Sequence, residues 1–562
     1  MNDAHCRGSV VAALPRLLQV NSPHGNSGSV AGMSQARNDP ASPRSKPSNG
    51  DALERLVGAL RDPRRYPHPV ERVETVETHI SRVLLTGRYA YKLKKPLELG
   101  FLDFSTLAAR RAACEEELRL NRRTAPALYL EVVAITGTPE NPRIGGEGPA
   151  IEYAVRMAQF PQEALLDHLA ARGALDGALI ERLAAAIAQF HAGAAVAGPQ
   201  SAFGSPEEVL APARQNFEQL VQMLDDPALA TLRDWTGREH ARLEERFARR
   251  KREGFVRECH GDLHLGNIVL LAGEPTPFDC IEFNAALRWT DLMNEVAFLV
   301  MDLEDHGLAA LARRFLNAYL EETGDYAGLA VLPFYLVYRA LVRAKIAAIR
   351  AHQPGLDVHG RTRAETEIHG YLRLAQRLSQ PRRRALVITH GLSASGKSSA
   401  ALALVEASGA LRIRSDVERK RMHGLGATQR SGAALGGGIY AEDATRLAYE
   451  RLATLARKVL EGGFAVVVDA TFLSRAQREA FARLARQLGV PFAIASCQAP
   501  AETLRGRILA RQGDASEATL AVLEHQLATQ DALGEDELER ALVIEPGQRD
   551  FAQALARRAG LA

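Results

Sequence analysis

GLSASGKSS, residues 391–399, decides how the second half of the chain folds. It fits the pattern GxxxxGK[ST], and its flanks have the right character. A β-branched run, ALVITH (385–390), leads into it, and a helix-forming run, AALALVEA (400–407), leads out. Glycines let the backbone wrap a phosphate closely, with N–H groups and a helix N-terminus pointing inward. Gly391, Ser393, Ala394, Ser395, Gly396 and Ser399 are therefore the candidate cradle. Lys397 would neutralise the β- and γ-phosphates, and Ser398 would hold Mg²⁺.

Downstream, three further apolar runs alternate with helical stretches: ALRIRSD (410–416), AVVVDAT (465–471) and PFAIASC (491–497). This alternation predicts an α/β domain with a mostly parallel sheet. Strand ends in such sheets face the ligand crevice. Asp469 closes AVVVD and is a candidate for the metal or its water shell. Asp416 closes IRSD and is a candidate for orienting or deprotonating an acceptor hydroxyl, or else caps the VERKRM helix. Arg505, Arg507 and Arg511 fall in a helix that would close over the phosphates.

Upstream stands a second constellation, HGDLHLGN (260–267). Asp262 and Asn267 are five residues apart, and Asp279 follows twelve later, after a hairpin-like run, NIVLLAGEPTPFDCIEF (267–283). Phosphotransfer requires a carboxylate for the acceptor proton, with an amide oxygen and a second carboxylate for the metal. A loop followed by a hairpin brings all three to one cleft. A metallophosphatase would need a histidine straight after the GN, where Ile268 stands, and an upstream DxH partner. His260 and His264 read as organisers of the loop.

Between Asp51, read as a helix N-cap, and Met157 the pattern is β-rich: VERVETVETH (70–79), ISRVLL (80–85), YAYKLKK (89–95), YLEVVAIT (129–136) and IEYAVRM (151–157), with a helix near 110–123. Residues 162–377 read as mostly helical. Residues 1–50, rich in Ser, Asn, Gly and Pro, read as a disordered tail, with Met33 as a second candidate start. The 562 residues carry 70 Lys+Arg against 67 Asp+Glu, so no basic face points to nucleic acid. The longest apolar run, 327–338, is interrupted by Gly328 and Pro333, which argues against a membrane span. Five cysteines without a CxxC pair fit a reducing cytoplasm.

Residues 383–562 resemble the small P-loop kinases, the group holding polynucleotide 5′-kinase, gluconate kinase, chloramphenicol phosphotransferase and zeta-type toxins. Residues 51–378 resemble the aminoglycoside-phosphotransferase-like branch of the two-lobed protein-kinase-like fold, through HGDLHLGN and the FDCIEF strand. The two together resemble bifunctional aminoglycoside phosphotransferase/ATP-binding proteins. The resemblance implies Asp262 as catalytic base, Asn267 and Asp279 as Mg²⁺ ligands, and Asp291 as a brace for the loop. It implies Lys92, with Lys94 as fallback, toward the ATP phosphates, and Glu117 as its partner, with Glu115 and Glu116 as rivals. No GxGxxG precedes the AYK strand, where Thr86-Gly87 stands, and no glycine closely follows Asp279. Glu282 reads as a solvated strand-edge residue or an aid to the metal. The function implied is ATP-dependent transfer to small-molecule hydroxyls at two ATP·Mg²⁺ sites. The alternatives are a regulatory ATP-binding protein with one silent half, or a toxin-like kinase acting on a protein or nucleotide sugar.

Overall fold

The computed structural model describes residues 49–562, apart from 100–101, 354–355, 428, 433–436, 511–514, 546, 549 and 562. The expected tail up to residue 48 and Arg511 lie outside the described residues. The first helix, Asn49–Ala59, begins two residues before Asp51, which sits inside its first turn.

A six-stranded antiparallel sheet forms the small lobe, in the order Glu74–Glu77, Ser81–Leu85, Tyr89–Lys94, Ala150–Ala158, Tyr129–Thr138, Asn141–Ile144. Side chains alternate across a strand, and Tyr89–Lys94 uses both faces. Tyr91 and Leu93 pack with Leu53, Leu56 and Val57 of the first helix. Ala90 packs with Cys114 of the helix Leu107–Asn121 on the other face, which Lys92 and Lys94 share. The strand Asn141–Ile144 was not legible as a strand in its sequence, which carries Pro142.

The helical lobe follows, with the helix Leu292–Asp305 at its centre and residues 292–303 all buried. Two short antiparallel pairs interrupt it: Ile268–Leu271 with Glu274–Pro277, as the hairpin pattern predicts, and Val256–Glu258 with Trp289–Asp291. The second pair is three residues long, too short to show a period in the sequence.

The second unit is a five-stranded, all-parallel sheet in the order Leu411–Arg414, Val466–Asp469, Leu386–His390, Phe492–Cys497, Ala541–Ile544. The last strand is not among the runs read as strands in the sequence. It extends the sheet because its backbone pairs with residues 494–497. Among the described residues no helix is long and apolar enough to cross a membrane.

The sequence changes character between 377 and 384, but the core does not break there. One apolar cluster runs from Leu166 through Phe315, Tyr326 and Leu329 to Leu411, Leu455 and Phe464. The backbone at Gly462 lies so close that a Cβ there would sit 3.2 Å from Cβ of Leu329. Residues 383–562 expressed alone are therefore expected to melt several degrees lower than the same unit in the full chain and to bind an apolar dye. A dye-free fragment melting with the full chain would contradict the shared core.

Candidate active sites

The loop HGDLHLGN is irregular backbone in a buried setting, so its polar groups need partners. Its histidines supply some of them. His260 Nε2 lies 2.8 Å from the Phe278 carbonyl, and its Nδ1 accepts from the Asp262 amide at 3.3 Å. His264 Nδ1 accepts from the Gly266 amide at 3.1 Å. Asn267 Nδ2 donates to both the carbonyl and Oδ2 of Asp262, each at 3.0 Å. With Nδ2 so engaged, Oδ1 is the atom through which Asn267 would ligate a metal. Burial works to raise the Asp262 pKa, but His264, His260 and Arg339 outweigh it and hold the carboxyl at about 2. Asp262 is thus an ionised carboxylate, as a base must be.

The brace on this loop is not Asp291. That residue caps the helix Leu292–Asp305 and forms a two-pronged pair with Arg250, at 2.7 and 2.9 Å, which Asp325 shares. Three residues not singled out in the sequence hold the loop instead. Glu295 Oε1 accepts from the Gly261 amide at 2.7 Å, and its Oε2 meets His191 at 2.8 Å. Asp302 accepts from the Leu265 amide at 2.9 Å, and Arg339 donates to the Gly261 carbonyl at 3.1 Å. Acidic residues within an otherwise apolar helix, MNEVAFLVMDL, were the available signal.

Lys92 donates to Glu117 at 2.8 Å and pairs with Asp279. Lys94, one step along the same face, pairs with Glu117 and Glu282. The result is a buried ladder of two ammoniums between three carboxylates. Glu282 is therefore not a solvated edge residue: it lies inside, neutralising Lys94. Of the rival acids, Glu115 pairs with Arg111 at the surface, and Glu116 with Arg119 and Arg288. Burial opposes the charge on Lys92 but Asp279 and Glu117 prevail, keeping its pKa well above the usual lysine range. Asp279 itself adopts a positive φ of 66°, whereas Cys280, Ile281 and Glu282 do not, so the backbone after it does not call on the left-handed freedom of a glycine. Tyr129 accepts from the Asp279 amide at 3.2 Å and Asn121 from the Cys280 amide at 2.8 Å. Gly87, in place of a glycine-rich loop, makes a turn whose amide donates to Gln159 at 2.9 Å.

In the second unit, residues 391–396 form the loop between the strand Leu386–His390 and the helix Lys397–Ser408, the place where the candidate cradle was expected. Gly391 has φ of 135°, and a Cβ there would lie 2.3 Å from the Cys497 carbonyl, so no larger residue fits. Ala394 and Gly396 also take positive φ, 67° and 98°. Ser395 Oγ is buried with no hydrogen-bond partner among the described residues. Lys397 donates to the Leu392 carbonyl at 2.6 Å, folded over the loop. A cleft of about 1410 Å³ opens there, lined by Lys397, Ser398, Asp416, Arg419, Asp469 and Arg507.

Asp469 ends its strand as read and is buried. Asp416 lies one residue into the helix Ser415–Met422, neither at the strand end nor at the cap, which falls on Arg414. Burial pushes its carboxyl up, Arg414 opposes this, and Asp469 adds to it. Of the arginines, Arg507 donates to the Ala394 carbonyl at 3.1 Å, whereas Arg505 pairs with Glu524 at the surface. Two residues join the site unannounced. Gln526 accepts from the Ser393 amide at 2.9 Å. Arg419 donates to Ile439 and Thr445, and its Nε is buried without a hydrogen-bond partner among the described residues. Its place three residues after Asp416, on one helix face, was legible. Both donor sets fit a nucleotide with a divalent metal: hard oxygens from Asn267 and Asp279 in one, Ser398 and Asp469 in the other, each with a lysine for phosphate.

Breaking the ladder tests how much it matters. Lys94→Met strands Glu282, and a buried pair broken on one side costs about 3–5 kcal/mol. Urea unfolding should show that loss, while Arg111→Ala, at an exposed pair, stays within about 0.5 kcal/mol.

The pattern described as a phosphotransferase enzyme family matches residues 101–332, and one described as an AAA domain matches 386–533. Uncharacterized proteins of Mycobacterium tuberculosis and Mycobacterium bovis are 31% identical over 463 residues, covering 80% of this chain and 89% of theirs. Among solved structures, the chain is similar to an amicoumacin kinase in complex with AMP-PNP, Ca²⁺ and Ami (15% identity, 59% of this chain and 94% of that one, TM-score 0.37). It is also similar to a choline/ethanolamine kinase family protein from Mesorhizobium loti (13%, 58% and 99%, 0.36) and a sugar kinase from Janibacter sp. HTCC2649 (22%, 32% and 96%, 0.26).

Proposed function

The chain belongs to the family that joins a phosphotransferase-type kinase unit to an AAA-type P-loop unit, and from that membership we propose a two-site, ATP-dependent phosphotransferase of the cytoplasm. Residues 51–378 carry one ATP·Mg²⁺ site and residues 383–562 the other, and small hydroxylated molecules are the acceptors. The observation that carries this reading is that the Asp262–Asn267 pair and the Glu117–Lys92–Asp279 chain adjoin through backbone: the Phe278 amide, one residue before Asp279, donates to the Asn267 carbonyl at 2.9 Å, and its carbonyl meets His260 at 2.8 Å. Nothing in a structural loop requires an ionised carboxylate and a paired lysine to converge there.

In the first unit, Asp262 accepts the acceptor-hydroxyl proton, Asn267 and Asp279 hold the metal, and Lys92 orients the phosphates. In the second, the loop 391–399 and Lys397 hold the phosphates, Ser398 and Asp469 serve the metal, and Asp416 takes the acceptor proton. A bound Mg²⁺ would neutralise phosphate charge as the phosphoryl group leaves.

Asp262→Asn is expected to lower transfer by the first unit about a hundredfold or more while leaving its ATP affinity within a few-fold. Retained transfer on a working acceptor would remove Asp262 as the base.

The two bases also differ in their titration. Asp262, held at about 2, gives no inflection in the first unit's activity above about pH 4. Asp416 has its pKa raised by burial, with Asp469 adding to it, so its carboxylate forms over a range of pH higher than a free aspartate's. Transfer by the second unit should therefore climb with pH over that range, and Asp416→Asn should flatten and depress the profile while Lys397→Ala weakens binding too. An unchanged profile in Asp416→Asn would exclude it as the base.

A further inference from the structure

The P-loop does not stand on its own unit alone. The helix Ala309–Thr323 of the kinase-like unit lies along the outer edge of the parallel sheet, where Leu411–Arg414 is the edge strand. Asn317, buried, accepts from the Arg412 amide at 2.7 Å, an amide that faces away from the neighbouring strand. One turn further on, Glu321 takes the Arg412 guanidinium through Nε at 2.7 Å and Nη2 at 3.2 Å. Asn317 Nδ2 in turn donates to Glu321 at 3.0 Å, so the carboxylate is fixed before Arg412 meets it. The remaining nitrogen, Nη1, donates to the Ser398 carbonyl at 3.1 Å. Both side chains are largely buried, at 9% and 13% exposure.

We propose that Arg412 is a positioning residue for the nucleotide–metal site of the P-loop unit, aimed by Glu321 and Asn317 of the other unit. This rests on the proposal that residues 391–399 bind nucleotide. The physical argument is one of shape. Arginine presents a rigid planar fork. When one edge is taken by a fixed carboxylate, the direction of the third nitrogen is set. Here it points at the first turn of the helix Lys397–Ser408, the turn that carries Lys397 and Ser398. The far end of that helix is held from the same source, by Arg313 donating to the carbonyls of Glu406 and Ala407 at 2.7 and 3.0 Å. The kinase-like unit thus holds the P-loop helix directly at its far end and, through Arg412, at its first turn. Arg412 touches neither nucleotide nor metal in this scheme. It fixes the turn on which their ligands are mounted.

The test uses the full chain and titrates a non-hydrolysable ATP analogue with Mg²⁺. Binding at the P-loop is the part of the isotherm that Lys397→Ala removes; if Lys397→Ala removes none, the nucleotide reading itself fails and not merely the role of Arg412. Arg412→Lys keeps the charge opposite Glu321 but lacks the fork. It should weaken P-loop binding about three- to tenfold, the scale of one hydrogen bond. A second variant separates positioning from mere docking. The swap Glu321→Arg with Arg412→Glu restores opposite charges across the interface, but a carboxylate cannot donate to the Ser398 carbonyl. Its melting temperature should recover toward that of the original chain while its nucleotide affinity stays low. Affinity that returns with the melting temperature, or that stays within twofold in Arg412→Lys, would overturn the proposal.

Discussion

Both candidate sites are built from irregular backbone that is buried, and a buried amide must find an acceptor. That constraint shapes much of the rest of the molecule. In the kinase-like unit the acceptors are Glu295 for Gly261, Asp302 for Leu265, Tyr129 for Asp279 and Asn121 for Cys280. In the P-loop unit Gln526 serves Ser393. None of these side chains transfers anything. They fix where Asp262, Asp279 and the phosphate cradle stand, and each comes from a helix or strand outside the loop it serves.

The same logic governs charge. Lys92 and Lys94 are acceptable inside the small lobe because Glu117 lies between them and Asp279 and Glu282 close the two ends. Lone buried ions would cost several kcal/mol each. Paired in this way, they tie the sheet, the helix Leu107–Asn121 and the segment after the hairpin into one body, so the candidate metal ligand Asp279 is placed by two lobes at once.

The sequence carried the chemistry of the two loops because phosphate and metal sites need particular residues at short spacing. GLSASGKSS and HGDLHLGN each lie within one local segment, as do the strands and helices that hold them. Legibility fell where the partner is distant in sequence. Glu282 looked solvated because its neutraliser, Lys94, is 188 residues away. Asp291 looked like the loop's brace, yet Glu295, one turn along the same helix, does that work. Asp416 looked like a strand end because the helix begins at once after Arg414, with no side-chain cap to announce it. The continuity of the core was hidden for a different reason: composition reports what each segment is, not what it lies against.

The cover that Asn317 and Glu321 provide for the strand Leu411–Arg414 has a consequence for synthesis. An uncovered strand edge offers its amides to any passing chain and is a common start of aggregation. The ribosome makes the chain from its N-terminus, and domains tend to fold as they emerge. The helix Ala309–Thr323 therefore leaves the exit tunnel before residue 411 does. The order of the two units along the gene gives the parallel sheet a template at the moment its edge is most exposed; the reverse order would leave that edge waiting.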